Sequence, residues 1–89
     1  MLYMLINRTR RDLTSEQYQE LGKLAQGFYD NIPEGLTLHG DWAANDQSCT
    51  FALMESDDPR LLDRIQEPFR GFVEIEVIPV TTVTGWGKR

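Results

Sequence analysis

The 89-residue chain has one cysteine, Cys49, and one histidine, His39. A lone cysteine excludes an intrachain disulfide, and with one imidazole the usual cysteine and histidine zinc sets cannot be assembled. Positive charge is also scarce. Nine Lys and Arg against fourteen Asp and Glu leave a net charge of -5, which argues against nucleic acid or an anionic membrane as a partner. No apolar run approaches the roughly 20 residues of a membrane span. The opening Met1-Leu2-Tyr3-Met4-Leu5-Ile6 is apolar but short. It has no basic region before it and no small-residue cleavage site after it, so it does not read as a signal peptide. A Gly-rich phosphate loop, a nucleophile elbow, a paired-cysteine motif and internal repeats are all missing. The expectation is one cytoplasmic domain that needs no metal and no cofactor. So short a chain buries only roughly 60–65% of its unfolded surface, and a small core without staples often leans on a partner subunit.

What is present is organised around residues 36–55, which read as a β-hairpin about the turn formers Asn45-Asp46-Gln47-Ser48. Pairing Asn45 with Ser48 sets Ala44 opposite Cys49, Trp42 opposite Phe51, Gly40 opposite Leu53 and Leu38 opposite Glu55. Side chains alternate along a strand, so these residues share one strongly apolar face. The other face, with Thr37, His39, Asp41, Ala43, Thr50, Ala52 and Met54, is mixed.

Before the hairpin, Leu2 to Ile6 reads as a strand buried on both faces. It runs into Arg8, Arg10 and Arg11, a basic cluster that reads as a solvated loop. Thr14 with Gln17 three residues on is a capping-box pattern. Tyr18, Leu21, Ala25, Phe28 and Ile32 then form one apolar helical stripe, stopped by Pro33-Glu34-Gly35. After the hairpin, Asp58-Pro59 is an N-terminal helix signal, and Leu61, Leu62, Ile65 and Phe69 give a second stripe. Pro68 breaks that helix at about Glu67. Phe72 to Val80 reads as a fourth strand, with Pro79 fitting an edge position. Residues 84–89, with Gly85-Trp86-Gly87, read as a flexible tail on a domain spanning 1–83.

The order is βαββαβ, which predicts an α+β, ferredoxin-like fold. Four antiparallel strands run in the order 4-1-3-2 with both helices on one face. The helices cover only one face, yet strands one and three are apolar on both. The free face is expected to show Ala52, Met54 and one side of Leu2 to Ile6. Monomers rarely expose so large an apolar patch, so a second, identical subunit is expected to cover it, making a homodimer with two sheets face to face.

Residues 1 to about 83 resemble a bacterial domain-of-unknown-function family, number 3303, in the dimeric α/β-barrel superfamily. The resemblance is carried by Met1-Leu2-Tyr3-Met4 and by Pro33-Glu34-Gly35-Leu36 leading to His39. Leu53-Met54-Glu55-Ser56-Asp57-Asp58-Pro59 and Val73-Glu74-Ile75-Glu76-Val77-Ile78-Pro79-Val80 complete it. It implies the fold and brings no activity with it. The superfamily includes cofactor-independent monooxygenases, isomerases and non-catalytic binders, and fold does not select among them.

His39 and Asp41 are the candidate catalytic pair, a general base with an orienting carboxylate. The plainer reading of the pair is a polar contact that fixes dimer geometry. Tyr3, Asn7 and Met54 are the candidate ligand-binding residues, and Tyr3, Tyr18 and Tyr29 are candidates to line a pocket between helix and sheet. Asn7, Trp42 and His39 invite comparison with haem-degrading barrels, but neither helix carries a histidine to bind iron. Cys49 reads as a small core residue, and Asp57 and Asp58 as helix caps. The expectation is a dimer that binds or converts a small apolar or aromatic molecule; the alternative is a non-catalytic accessory or interaction dimer.

Overall fold

The computed structural model describes residues 1–86. Its elements are β1 (Leu2–Thr9), α1 (Ser15–Asp30), β2 (Thr37–Ala43), β3 (Thr50–Glu55), α2 (Pro59–Gln66), β4 (Val73–Val80) and a closing turn of helix, α3 (Val83–Trp86). The strands form one sheet in the order β2-β3-β1-β4, with every neighbouring pair antiparallel. This is the expected ferredoxin-like order, read from the other edge. Thr84, Gly85 and Trp86 of the expected tail fall in α3, whereas residues 87–89 lie outside the described residues.

Local chemistry explains the element ends. At the start of α1 the Gln17 amide donates to Thr14 Oγ1 at 3.2 Å, and the Thr14 amide donates to Gln17 Oε1 at 2.7 Å. The capping box thus satisfies two backbone donors that the helix itself leaves open. α1 stops at Asp30, two residues before Ile32, because Asn31 closes it by donating from its amide to the carbonyls of Gly27 and Phe28. Gly35 then turns the chain at φ +91°, a conformation that costs a side-chain-bearing residue far more than glycine. Asp58 caps α2 by accepting from the Arg60 amide at 3.0 Å, with Pro59 at the first helical position. Pro68 ends the regular helix as expected, and Glu67–Phe69 continues as a 3-10 turn.

The hairpin register differs from the expected one at a single place. Trp42 faces Phe51 and Gly40 faces Leu53, but Leu38 faces Met54 rather than Glu55. The pairing skips His39, so His39 is the extra residue of a β-bulge. A regular two-residue alternation has no means of registering such an insertion.

The core lies between the sheet and the helices. Tyr3 and Leu5 of β1, Ala52 and Met54 of β3, Leu36 and Leu62 are buried there, with Phe28, Leu61 and Ile65 packed against them. Ala52 and Met54 are each only 6% exposed, so the face expected to be free is the one the helices cover. The uncovered face is the other: Leu2, Met4 and Ile6 of β1, Phe51 and Leu53 of β3, Trp42 of β2 and Ile78 of β4. Trp42 is 56% exposed and Ile78 38%. The reversal has a simple origin. Pairing fixes which residues share a face, but on doubly apolar strands it does not say which face receives the helices.

Candidate functional site

The two helices do not cover the sheet equally. Leu62 of α2 is 3% exposed, while α1 has no buried residue at all. Opposite the middle of α1 the sheet presents Ala43 and Ala52, and α1 itself presents Ala25. These small side chains leave the gap between α1 and the sheet unfilled. The result is a cavity of about 350 Å³, within the size range of small-molecule sites. Leu5, Ala52 and Ile75 form its floor, with Leu21 and Phe28 of α1 and Phe69 after α2 above them.

The polar groups of the cavity come from three places. Asn7 on β1 donates from Nδ2 to Thr50 Oγ1 on β3 at 3.2 Å. Gln66, at the end of α2, donates from Nε2 to the Leu62 carbonyl at 2.9 Å. Tyr29 of α1 donates its hydroxyl to Asp41 Oδ2 of β2 at 2.5 Å, closing the gap between helix and edge strand. The Tyr29 phenol is pushed up to about 12, first by burial, then by the hydrogen bond to Asp41 and by that group's charge. It therefore remains a neutral donor at any ordinary pH.

Of the residues singled out in the sequence, Asn7, Met54 and Asp41 line this cavity. Tyr3 does not. It is a core residue, 9% exposed, with its hydroxyl turned to Met1 Sδ at 3.7 Å. Nor does His39, because the bulge separates it from Asp41. Asp41 pairs with Ala52 and faces the helices. His39 Nε2 instead lies 2.7 Å from Oε1 of Glu55, whose neighbour Met54 points into the core. The expectation that His39 and Asp41 share one face is thus corrected, and no imidazole stands beside the cavity carboxylate. Among the described residues no group of three His, Cys, Asp or Glu is arranged to hold a metal ion.

Tyr29 lines the cavity as considered, while Thr50, Gln66 and Phe69 were not foreseen there. The sequence signal available for the cavity itself was weak: alanines at positions 25, 43 and 52, where a filled core carries larger groups.

No described helix is long and apolar enough to cross a membrane. The protein SCO4226 from Streptomyces coelicolor A3(2) is similar in structure, with a TM-score of 0.51 and 18% identity over 92% of this chain and 100% of that one. A conserved protein from Methanosarcina mazei Go1 has a TM-score of 0.56 and 15% identity over 91% of this chain and 94% of that one. At such identities the likeness concerns the fold. None of the curated proteins matches the chain. A family model described as Domain of unknown function (DUF3303) matches residues 1–89, over strands, helices and cavity alike, and the chain belongs to that family.

Proposed function

We propose that this protein is a small-molecule-binding domain whose ligand, a compact apolar or aromatic molecule, occupies the cavity between α1 and the sheet. The observation that carries the reading is the cavity itself, apolar on its floor and roof with a few polar groups around it. Binding is favoured over catalysis because the group expected to act as a base, His39, is on the opposite face. A reducing compartment such as the cytoplasm suits the single cysteine.

The open face of the sheet supports a second part of the same reading, a homodimer. Four strands of six to eight residues span roughly 20 by 25 Å. Two such faces in contact bury on the order of 1,000 Å², near the lower bound for a specific interface. The face is self-complementary in kind. Its centre is Met4, Ile6, Phe51 and Leu53, and of its charges Arg8 is paired with Glu76 and His39 with Glu55 within the subunit, while Glu74 lies at its border without an ion pair among the described residues.

Titration of the ¹⁵N-labelled protein with 2-phenylethanol, followed by amide chemical shifts, tests the cavity. Shifts centred on Leu5, Ala25 and Ala52 are expected, and they should vanish in Ala25→Phe, which fills the gap. Absent shifts, or shifts centred on Met4 and Leu53 of the open face, would overturn the reading. Sedimentation velocity tests the dimer, and a monomer at tens of micromolar would remove that part.

A further inference from the structure

We infer that the cavity selects a cationic ligand, an aromatic or alkyl primary amine whose ammonium group meets Asp41. This rests on the cavity being a binding site and adds the class of ligand it takes. Three observations carry it.

The first is charge. Among the residues that line the cavity, Asp41 is the sole carboxylate, and no Lys, Arg or His accompanies it. Asp41 forms no ion pair among the described residues. Its hydrogen bond from Tyr29 engages Oδ2, which leaves Oδ1 to accept from a ligand. An anionic ligand would meet an uncompensated like charge there, and a cationic one an uncompensated opposite charge.

The second is the direction of the hydrogen bonds. Each of the three polar contacts around the cavity uses a donor inside the protein and keeps an acceptor, although Asn7 and Gln66 each keep a second amide proton and Thr50 its hydroxyl proton. Tyr29 gives its hydroxyl proton to Asp41, Asn7 gives an amide proton to Thr50, and Gln66 gives one to the Leu62 carbonyl. The acceptors left for a ligand are Oδ1 of Asp41, which alone is charged, Oδ1 of Asn7 and Oε1 of Gln66. An ammonium group has three donors for these acceptors, whereas a carboxylate or phosphate would set acceptors of its own charge sign against Asp41.

The third is the apolar surround. Phe28 and Tyr29, with ring centroids 5.7 Å apart in an edge-to-face arrangement, and Phe69 flank the same space. Aromatic faces favour a cation beside them as well as an apolar body between them. The body of the ligand is accordingly a ring or short chain, and its polar end is compact.

The experiment compares three molecules of one shape: 2-phenylethylamine, 2-phenylethanol and 3-phenylpropanoate. Each is titrated at pH 7 into the ¹⁵N-labelled protein, into Asp41→Asn and into Tyr29→Phe. The amine is expected to bind about tenfold or more tightly than the alcohol, as a charged hydrogen bond warrants. The propanoate should bind most weakly. In Asp41→Asn the amine should fall to the level of the alcohol, while Tyr29→Phe, which keeps the carboxylate, should retain the preference. Asp41 is exposed on an edge strand, so its replacement leaves the core untouched. If amine and alcohol bind equally, or the preference survives in Asp41→Asn, the cationic assignment is overturned while the cavity reading stands. Tighter binding of the propanoate overturns it as well. If none of the three shifts the cavity amides, the cavity reading fails and takes this inference with it.

Discussion

The two faces of the sheet are built from opposite materials. The face beneath the helices carries alanine at positions 43 and 52 and encloses unfilled space. The open face carries Trp42, Phe51 and Leu53, the bulkier groups of the hairpin, with Trp42 more than half exposed. A chain that needed only a stable monomer would be expected to place these the other way round, large side chains inside and small ones out, because burial of apolar area is the main favourable term. Neither face is optimised for the isolated fold. One keeps room, and the other keeps apolar surface.

One leucine replaced on each face gives the largest contrast. Leu5→Ala, beneath the helices at 3% exposure, should cost about 3 kcal/mol, read as a lower urea midpoint that does not depend on protein concentration. On the open face, Leu53→Glu should shift sedimentation toward the monomer. Once the protein is monomeric the midpoint should move by less than about 1 kcal/mol, as for an ordinary surface change. If Leu53→Glu instead unfolds the dilute protein, the open face belongs to the monomer's own core and the comparison collapses.

Smaller effects probe single contacts. A methyl group added at Gly40 would meet the Trp42 ring at 2.9 Å. The ring edge is the movable end of a side chain, so Gly40→Ala should displace the indole for about 0.5 kcal/mol. Measured in a Trp86→Phe background, the fluorescence maximum of Trp42 should change while the melting temperature barely moves. On the covered face, Asp41→Asn should bring the Tyr29 phenol down from about 12 toward 10.0, visible as an earlier tyrosinate absorbance step at 295 nm. The Tyr29 value is raised in the folded state, so its contribution is complete below the unfolded value near 10.0 and is lost as pH climbs through about 12. The variant should keep only the part of that alkaline decline that burial causes.

Much of the fold was legible from residues that act on their own neighbours. Thr14 with Gln17, Asp58 with Pro59 and the break at Pro68 are local chemistry, and each appears where the sequence puts it. The strand order followed from the alternation of elements. Two features were hidden. The bulge at His39 is a tertiary compromise between β2 and β3, and its one mark in the sequence is the neighbouring Gly40, a glycine inside a strand pattern. Its effect is large for its size, since it moves His39 off the face of Asp41 and dissolves the pair that the spacing of two suggested. The side on which the helices lie was hidden too, because β1 and β3 are apolar on both faces. The cavity depended on both, so Asp41, Asn7 and Met54 were recognised as residues of interest without their common location, and Tyr3 was placed with them although it belongs to the core.

The bulge has one more consequence. β2 and β4 are the outer strands, and an outer strand with a free row of amides and carbonyls can recruit another chain and grow without limit. Here each outer strand is spoiled differently. β2 loses its even spacing at His39, and β4 has at Pro79 a residue with no amide proton to give. Sideways growth is discouraged at both borders while the flat of the sheet stays available. In the homodimer proposed above, which forms across the flat, the irregularity at His39 would work against further copies adding at the border of β2.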